Sequence, residues 1–237
     1  MISINHFILA SFIIVYCLGT SACNVVDGKS DPEEKKSQFT IKGRHSRSKD
    51  LGKSADAYKE GDIIFQVSRS TQSKAIQAAT GSRYSHCGIL FKGAKGSWQV
   101  LEAENGVEIT DLDKWKRRGD NHGHFVVKRY LGLSETALGK MKEKGRKHIG
   151  KRYDKKFLWS DHELYCSELV WKIYKDGADV QLGDPQYIKD LPVTSEGKKI
   201  LESNLKKPIK DHTDPVISPA RIFSSVLLTT VDSVAIQ

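Results

Sequence analysis

The hydrophobic pattern of this chain changes period part-way along, and that change limits its folds more than any other feature. From Asp62 to Tyr130 the apolar residues fall in short runs bounded by turn residues. These runs predict strands over Asp62–Val67, Tyr84–Phe91, Trp98–Glu104, Val107–Thr110 and Phe125–Tyr130. Asn105-Gly106 between two of them is a strong hairpin signal. Elsewhere the spacing is helical. It predicts helices over Thr71–Thr80, Ser134–His148, Tyr165–Asp176 and Pro192–Asn204. In the second, Leu138, Met141 and Ile149 face inward; in the third, Leu169, Val170, Ile173 and Tyr174 share a face with Cys166. Strands in hairpins with the long helices outside them imply an α+β fold on an antiparallel sheet, not a doubly wound parallel one.

The chain has 237 residues. With 38% hydrophobic and 28% charged residues it can build a core, and global disorder is excluded. Phe7–Leu18 is apolar over about 12 residues, short of the roughly 20 that span a bilayer. The small residues Gly19 to Ala22 follow it, as they follow an export signal. Cys23 comes directly after them, so the segment resembles a bacterial lipobox, with Cys23 the lipidated first residue of the mature protein. The flank carries no Lys or Arg, and Thr20 stands where Leu is usual; a plain secretory signal is the alternative. Residues 23–57 are charged and poor in apolar side chains, which predicts a flexible tether. The expected division is therefore a signal at 1–22, a tether at 23–57 and one domain at 58–237.

The net charge is +9. That excludes an acidic solvating protein, and an anionic envelope surface satisfies it as well as a polyanion does. Nucleic acid is not expected as a partner, since no aromatic–basic stacking module is present. The four cysteines form no CxxC pair, so neither a disulfide scaffold nor a structural zinc site is expected.

Three residue types suggest chemistry. Cys166 opens a predicted helix after a loop, where amide groups and the helix dipole favour thiolate. An earlier helix start near Asp161, capped by Ser160, would weaken that effect. His86 lies in a strand and could serve as base and then acid. Glu102 on the next strand could orient the imidazole, and Glu104 has the same parity, so alternation does not choose between them. Taken singly, each has a plainer reading: a buried small thiol, a sheet histidine, solvated glutamates. Together they fit the orienter, base and nucleophile of a cysteine hydrolase.

Gly61-Asp-Ile-Ile-Phe-Gln66, Tyr84-Ser-His-Cys-Gly-Ile89, Leu101-Glu-Ala103, Leu112-Asp-Lys-Trp115, Gly150-Lys-Arg-Tyr-Asp154 and Tyr165-Cys-Ser-Glu-Leu-Val170 form an ordered set of motifs. The set closely resembles the YiiX/YaeF-like group of circularly permuted papain-fold, NlpC-related cysteine hydrolases. The resemblance runs from about Lys59 to Val231. It implies Cys166 as nucleophile, His86 as base, Glu102 rather than Glu104 as third member, and Tyr165 at the oxyanion or substrate pocket. It implies no metal and no organic cofactor. Cys87 departs from the family's usual residue in Ser-His-x-Gly, and its parity makes it core. A Cys87–Cys166 disulfide, or a metal on His86, Cys87 and Cys166, is the alternative.

The expectation is an envelope-anchored cysteine amidase or peptidase acting on a small amide, peptide, wall stem peptide or lipid conjugate. A lipid acyl hydrolase or acyltransferase is the second reading, and an aliphatic cleft would favour it. A non-catalytic envelope binding protein is the third. His122, His124 and His162 read as loop or surface residues. Trp98, Trp115, Trp159 and Trp171 read as packing residues. The basic run from Lys140 to Arg152 reads as a solvated face.

Overall fold

The computed structural model describes residues 57–234 other than 121, 122 and 192. The expected signal, Cys23 and the expected tether up to residue 56 lie outside the described residues, as does His122.

In chain order the elements are β1 (Ile63–Gln66), α1 (Ser73–Thr80), β2 (His86–Lys92), β3 (Trp98–Ala103), β4 (Val107–Asp111), α2 (Leu112–Arg118), β5 (Phe125–Tyr130) and α3 (Glu135–His148). There follow β6 (Arg152–Tyr153), β7 (Glu163–Leu164), α4 (Cys166–Ala178), β8 (Gln186–Tyr187), α5 (Ser195–Leu205), β9 (Pro215–Val216), α6 (Pro219–Phe223) and β10 (Leu228–Ser233). Six strands form one antiparallel sheet in the order β10-β5-β1-β2-β3-β4. The expected strands and long helices are all present, with ends shifted by a few residues. The β3–β4 hairpin forms at Asn105-Gly106, but Ala103 pairs with Val107, so its loop has three residues and includes Glu104.

Strand alternation sends side chains to two faces. Ile63, Phe65, Cys87, Ile89 and Leu101 enter the larger core with α3, α4 and α5. Ile64, Leu90, Val100, Phe125 and Val127 enter a smaller core closed by Trp115 of α2. Asp111 caps α2 by accepting from the Asp113 and Lys114 amides, and Ser134 caps α3 through Ala137. Caps of this kind contribute about 1 kcal/mol each.

Helix α4 is buried on nearly every side. It runs close to α3 because Gly177 leaves room: a Cβ there would sit 2.8 Å from the Met141 backbone nitrogen. In α3 Met141 and His148 face inward, but Ile149 is exposed, because the helix ends at His148 and Ile149 turns away as its C-cap. Tyr58, ahead of β1, donates its hydroxyl to Asp232 of β10 at 2.6 Å, so the two ends of the described domain meet.

Candidate active site

Cys166 is the first residue of α4. The helix does not begin near Asp161, because Glu163–Leu164 pair with Arg152–Tyr153 as a short parallel ladder. The N-cap Tyr165 is extended and its side chain makes no capping bond. The first-turn amides are therefore left to favour negative charge at Cys166.

His86 is the first residue of β2 and is buried at the end of the sheet. Its Nε2 lies 2.6 Å from Glu102 Oε2, and the imidazole also hydrogen-bonds Cys166. With Nε2 engaged by the carboxylate, Nδ1 is the nitrogen left for sulfur. The pairing register explains how Glu102 reaches the ring. Glu102 sits opposite Gly88, which has no side chain, and leans along the strand over it toward His86. A Cβ on Gly88 would come 3.3 Å from that of Glu102 and 2.4 Å from Val100 Cγ1. This is the physical reason for glycine in the Ser-His-Cys-Gly motif.

Glu102 is fully buried and held from several directions. Thr110 Oγ1 donates at 2.5 Å, Trp115 Nε1 at 2.7 Å and Arg118 Nη2 at 2.5 Å. The Trp115 ring also stacks on His86, with centroids 5.9 Å apart. Glu104 lies farther from the imidazole, at 3.8 Å, and is bound by Arg118 at 2.7 Å. Geometry thus separates the two glutamates that alternation left tied.

The charges follow from these contacts. Burial works against an imidazolium at His86, but Cys166 and Glu102 outweigh it and raise the histidine to about 10. Burial works against ionised Glu102, and His86 with Arg118 brings it down to about 2. A hydrogen bond from the Cys87 side chain, followed by the His86 charge, takes Cys166 well below the usual thiol value against the opposing effect of burial. The neighbouring Cys87 is driven well above it by burial and by the charge on Cys166. These contacts favour thiolate at Cys166 beside imidazolium at His86, the form in which a thiol acts as a nucleophile. Both cysteines are free, and Cys87 belongs to the core as its parity predicted.

Arg118 and Trp115 were missed as site residues. Trp115 read as packing, which it also is. Arg118 ends a seven-residue helix too short and too basic to give a periodic signal. Tyr165 is buried, and its hydroxyl accepts from the Ile217 amide at 3.1 Å. Ser167 donates to the Ile217 carbonyl at 2.7 Å, so both fix the segment facing Cys166. His162 is exposed and stands apart from this cluster.

A cleft of about 460 Å³, counted out to its open mouth, runs from Cys166 between α1, α5 and the Ile217 segment. One turn into α4, Glu168 is fully buried beside Lys172, which also binds Asp161 and the Ser160 carbonyl. Burial lifts this carboxyl to about 7 against the pull of Lys172. Ligand atoms of His86, Glu102 and Glu104 lie within 4.8 Å of one another, the one such group among the described residues.

Residues 57–232 match the family described as permuted papain-like amidase enzyme, YaeF/YiiX, C92 family. The chain belongs to it. The uncharacterized protein YiiX of Escherichia coli K12 is 39% identical over 175 residues, covering 72% of this chain and 84% of that protein. The crystal structure of metalloprotein yiiX from Escherichia coli O157:H7 is also 39% identical, with a TM-score of 0.68. It covers 76% of this chain and 97% of that one. As a member of the C92 family the chain has the permuted papain-like fold and is a cysteine hydrolase of the amidase kind. In this chain His86 and Glu102 precede Cys166.

Proposed function

We propose that this C92-family hydrolase cleaves an amide bond through Cys166, His86 and Glu102, on an envelope-anchored domain. The observation that carries the reading is the single buried chain from Glu102 through His86 to Cys166, with charges favouring thiolate and imidazolium. The Cys166 sulfur attacks the carbonyl carbon, and first-turn amides of α4 stabilise the oxyanion. The C–N bond breaks as His86 gives its proton to the departing nitrogen. His86 then takes a proton from water, which attacks the thioester and releases the acid and Cys166. A binding protein without catalysis would have no use for so strongly ionised a pair.

The solved relative is titled a metalloprotein. In this chain the one group of ligand-type side chains among the described residues, His86, Glu102 and Glu104, does not fit a metal. Arg118 already bridges Glu102 and Glu104, and its guanidinium competes for the position a cation would need between them. No step is assigned to a metal.

The decisive comparison is turnover of a panel of amides by the wild type and Cys166→Ala. The panel spans wall fragments, aminoacyl amides and N-acyl amines. Release of acid by the wild type alone supports the reading; turnover surviving in Cys166→Ala sinks it. Anchoring through Cys23 rests on the lipobox-like sequence. Mass spectrometry of the mature N-terminus tests it: an unmodified Cys23, or another first residue, ends the claim.

A further inference from the structure

We infer that Cys87 is the resolving thiol of a redox switch: when a hydroperoxide oxidises Cys166, Cys87 closes a reversible disulfide with it. This rests on Cys166 as the nucleophile of the reading above, and adds a regulation of that same site.

Three observations point to it. First, the two sulfurs are partners. Cys87, the second residue of β2, turns into the larger core, where α4 packs across β2 and brings its first residue against it. The Cys166 sulfur accepts from the Cys87 thiol and from the Cys87 main-chain amide. Second, access to them is unequal. Cys166 lines the open cleft, whereas Cys87 is fully buried and does not line it. A small oxidant therefore meets Cys166 first. Third, both thiols are free, and the catalytic steps above leave Cys87 unused. Packing asks only for a small apolar side chain at this position. It does not call for a second oxidisable sulfur in contact with the nucleophile.

Atoms and electrons balance in two steps. The Cys166 thiolate attacks one oxygen of the hydroperoxide. The O–O bond breaks, sulfur gives up two electrons, and hydroxide or alkoxide departs, so Cys166 becomes a sulfenic acid. The Cys87 sulfur then attacks that of Cys166. An S–S bond forms, the S–O bond breaks, and the hydroxyl leaves as water with the Cys87 proton. While the disulfide lasts, Cys166 cannot attack a carbonyl. A dithiol restores both thiols and is itself oxidised to a disulfide. With its partner already in contact, Cys166 closes the bond before a second oxidation can take it to irreversible sulfinic acid.

The test treats the reduced full chain with hydrogen peroxide at neutral pH, blocks remaining thiols with iodoacetamide and maps the peptides by mass. Cys17 and Cys23 are also present, so the map shows which sulfurs have joined. Hydrolysis of p-nitrophenyl acetate is followed as nitrophenol release, before and after dithiothreitol, each protein against its own untreated rate. The expected product links Cys87 to Cys166. Nitrophenol release should fall about tenfold or more and return with dithiothreitol. Cys87→Ala and Cys87→Ser should instead carry Cys166 to sulfinic acid, with a loss that dithiothreitol does not restore. Wild type that ends with sulfinic Cys166 and no linked peptide overturns the inference. So does Cys166 joined to Cys17 or Cys23, and so does a Cys87 variant that dithiothreitol restores as fully as the wild type. A linked pair that still releases nitrophenol at the untreated rate upholds the disulfide and removes Cys166 as the nucleophile.

Discussion

Arg118 closes the back of the catalytic cluster. Its guanidinium neutralises two carboxylates that would otherwise stand side by side next to an imidazole. Arg118→Ala should lower kcat/KM by about 10- to 100-fold, the worth of a charge-assisted hydrogen bond to a buried acid. It should also open His86, Glu102 and Glu104 to a divalent cation. Calorimetry with zinc should show one added site in the variant; equal binding by the wild type would refute the guarding role. The ionised pair predicts the pH profile. Activity rises as Cys166 loses its proton, at a pH well below the usual thiol range, and falls as pH passes about 10, where His86 gives up its own. An activity limb near pH 6.5 instead would mean that His86 is not held charged by its neighbours. At this scale Cys166 stood out in the sequence because it opens a predicted helix, whereas His86, placed inside a predicted strand, was singled out by the motifs shared with the family. Alternation alone left Glu102 tied with Glu104; the shared motifs pointed to Glu102, and the physical basis is a register that leaves only Gly88 in the way.

Among the elements, α4 joins catalysis to packing. Its first residue is Cys166, and one turn on, Glu168 and Lys172 fasten the Ser160–Asp161 loop to the helix. Glu168 has its folded value raised from 4.5 to about 7 by burial. Its favourable contribution is therefore complete below pH 4.5 and is lost as pH rises through about 7. The loss is on the order of 3 kcal/mol from those two values. Glu168→Gln cannot lose a proton and should be more stable than the wild type at pH 8.5, with little difference at pH 4.5. Urea titrations at the two values decide it. Greater destabilisation of the variant at pH 8.5 would show that the Lys172 ion pair outweighs the burial. The periodicity revealed α3, α4 and α5 because each presents a continuous apolar stripe. It did not reveal α2, where Leu112 and Trp115 are the only apolar side chains in a run of charge. Nor did it reveal β10, an edge strand whose buried positions are only Leu228 and Asp232.

For the whole molecule, the two cores on either side of one sheet divide the labour. The larger holds the nucleophile and the cleft, the smaller holds the orienting acid, and His86 at the sheet's end touches both. The class of fold could be read from the order of strands and helices alone. The cleft could not, since its walls come from α1, α5 and the segment around Ile217, which are far apart in sequence.

The bond between Tyr58 and Asp232 has a consequence for chain order. Because the domain's ends touch, a short linker could join them, and new ends could be opened at Leu131, which is 76% exposed. In that rewired protein Cys166 would precede His86, while the contacts of the sheet and of the site would be kept. It should fold and acylate like its parent, with far-ultraviolet circular dichroism and nitrophenol release as the measures. A folded but inert product would show that the route of the backbone matters to the chemistry. The expected result is the opposite: two differently wired genes could encode one and the same reactive surface.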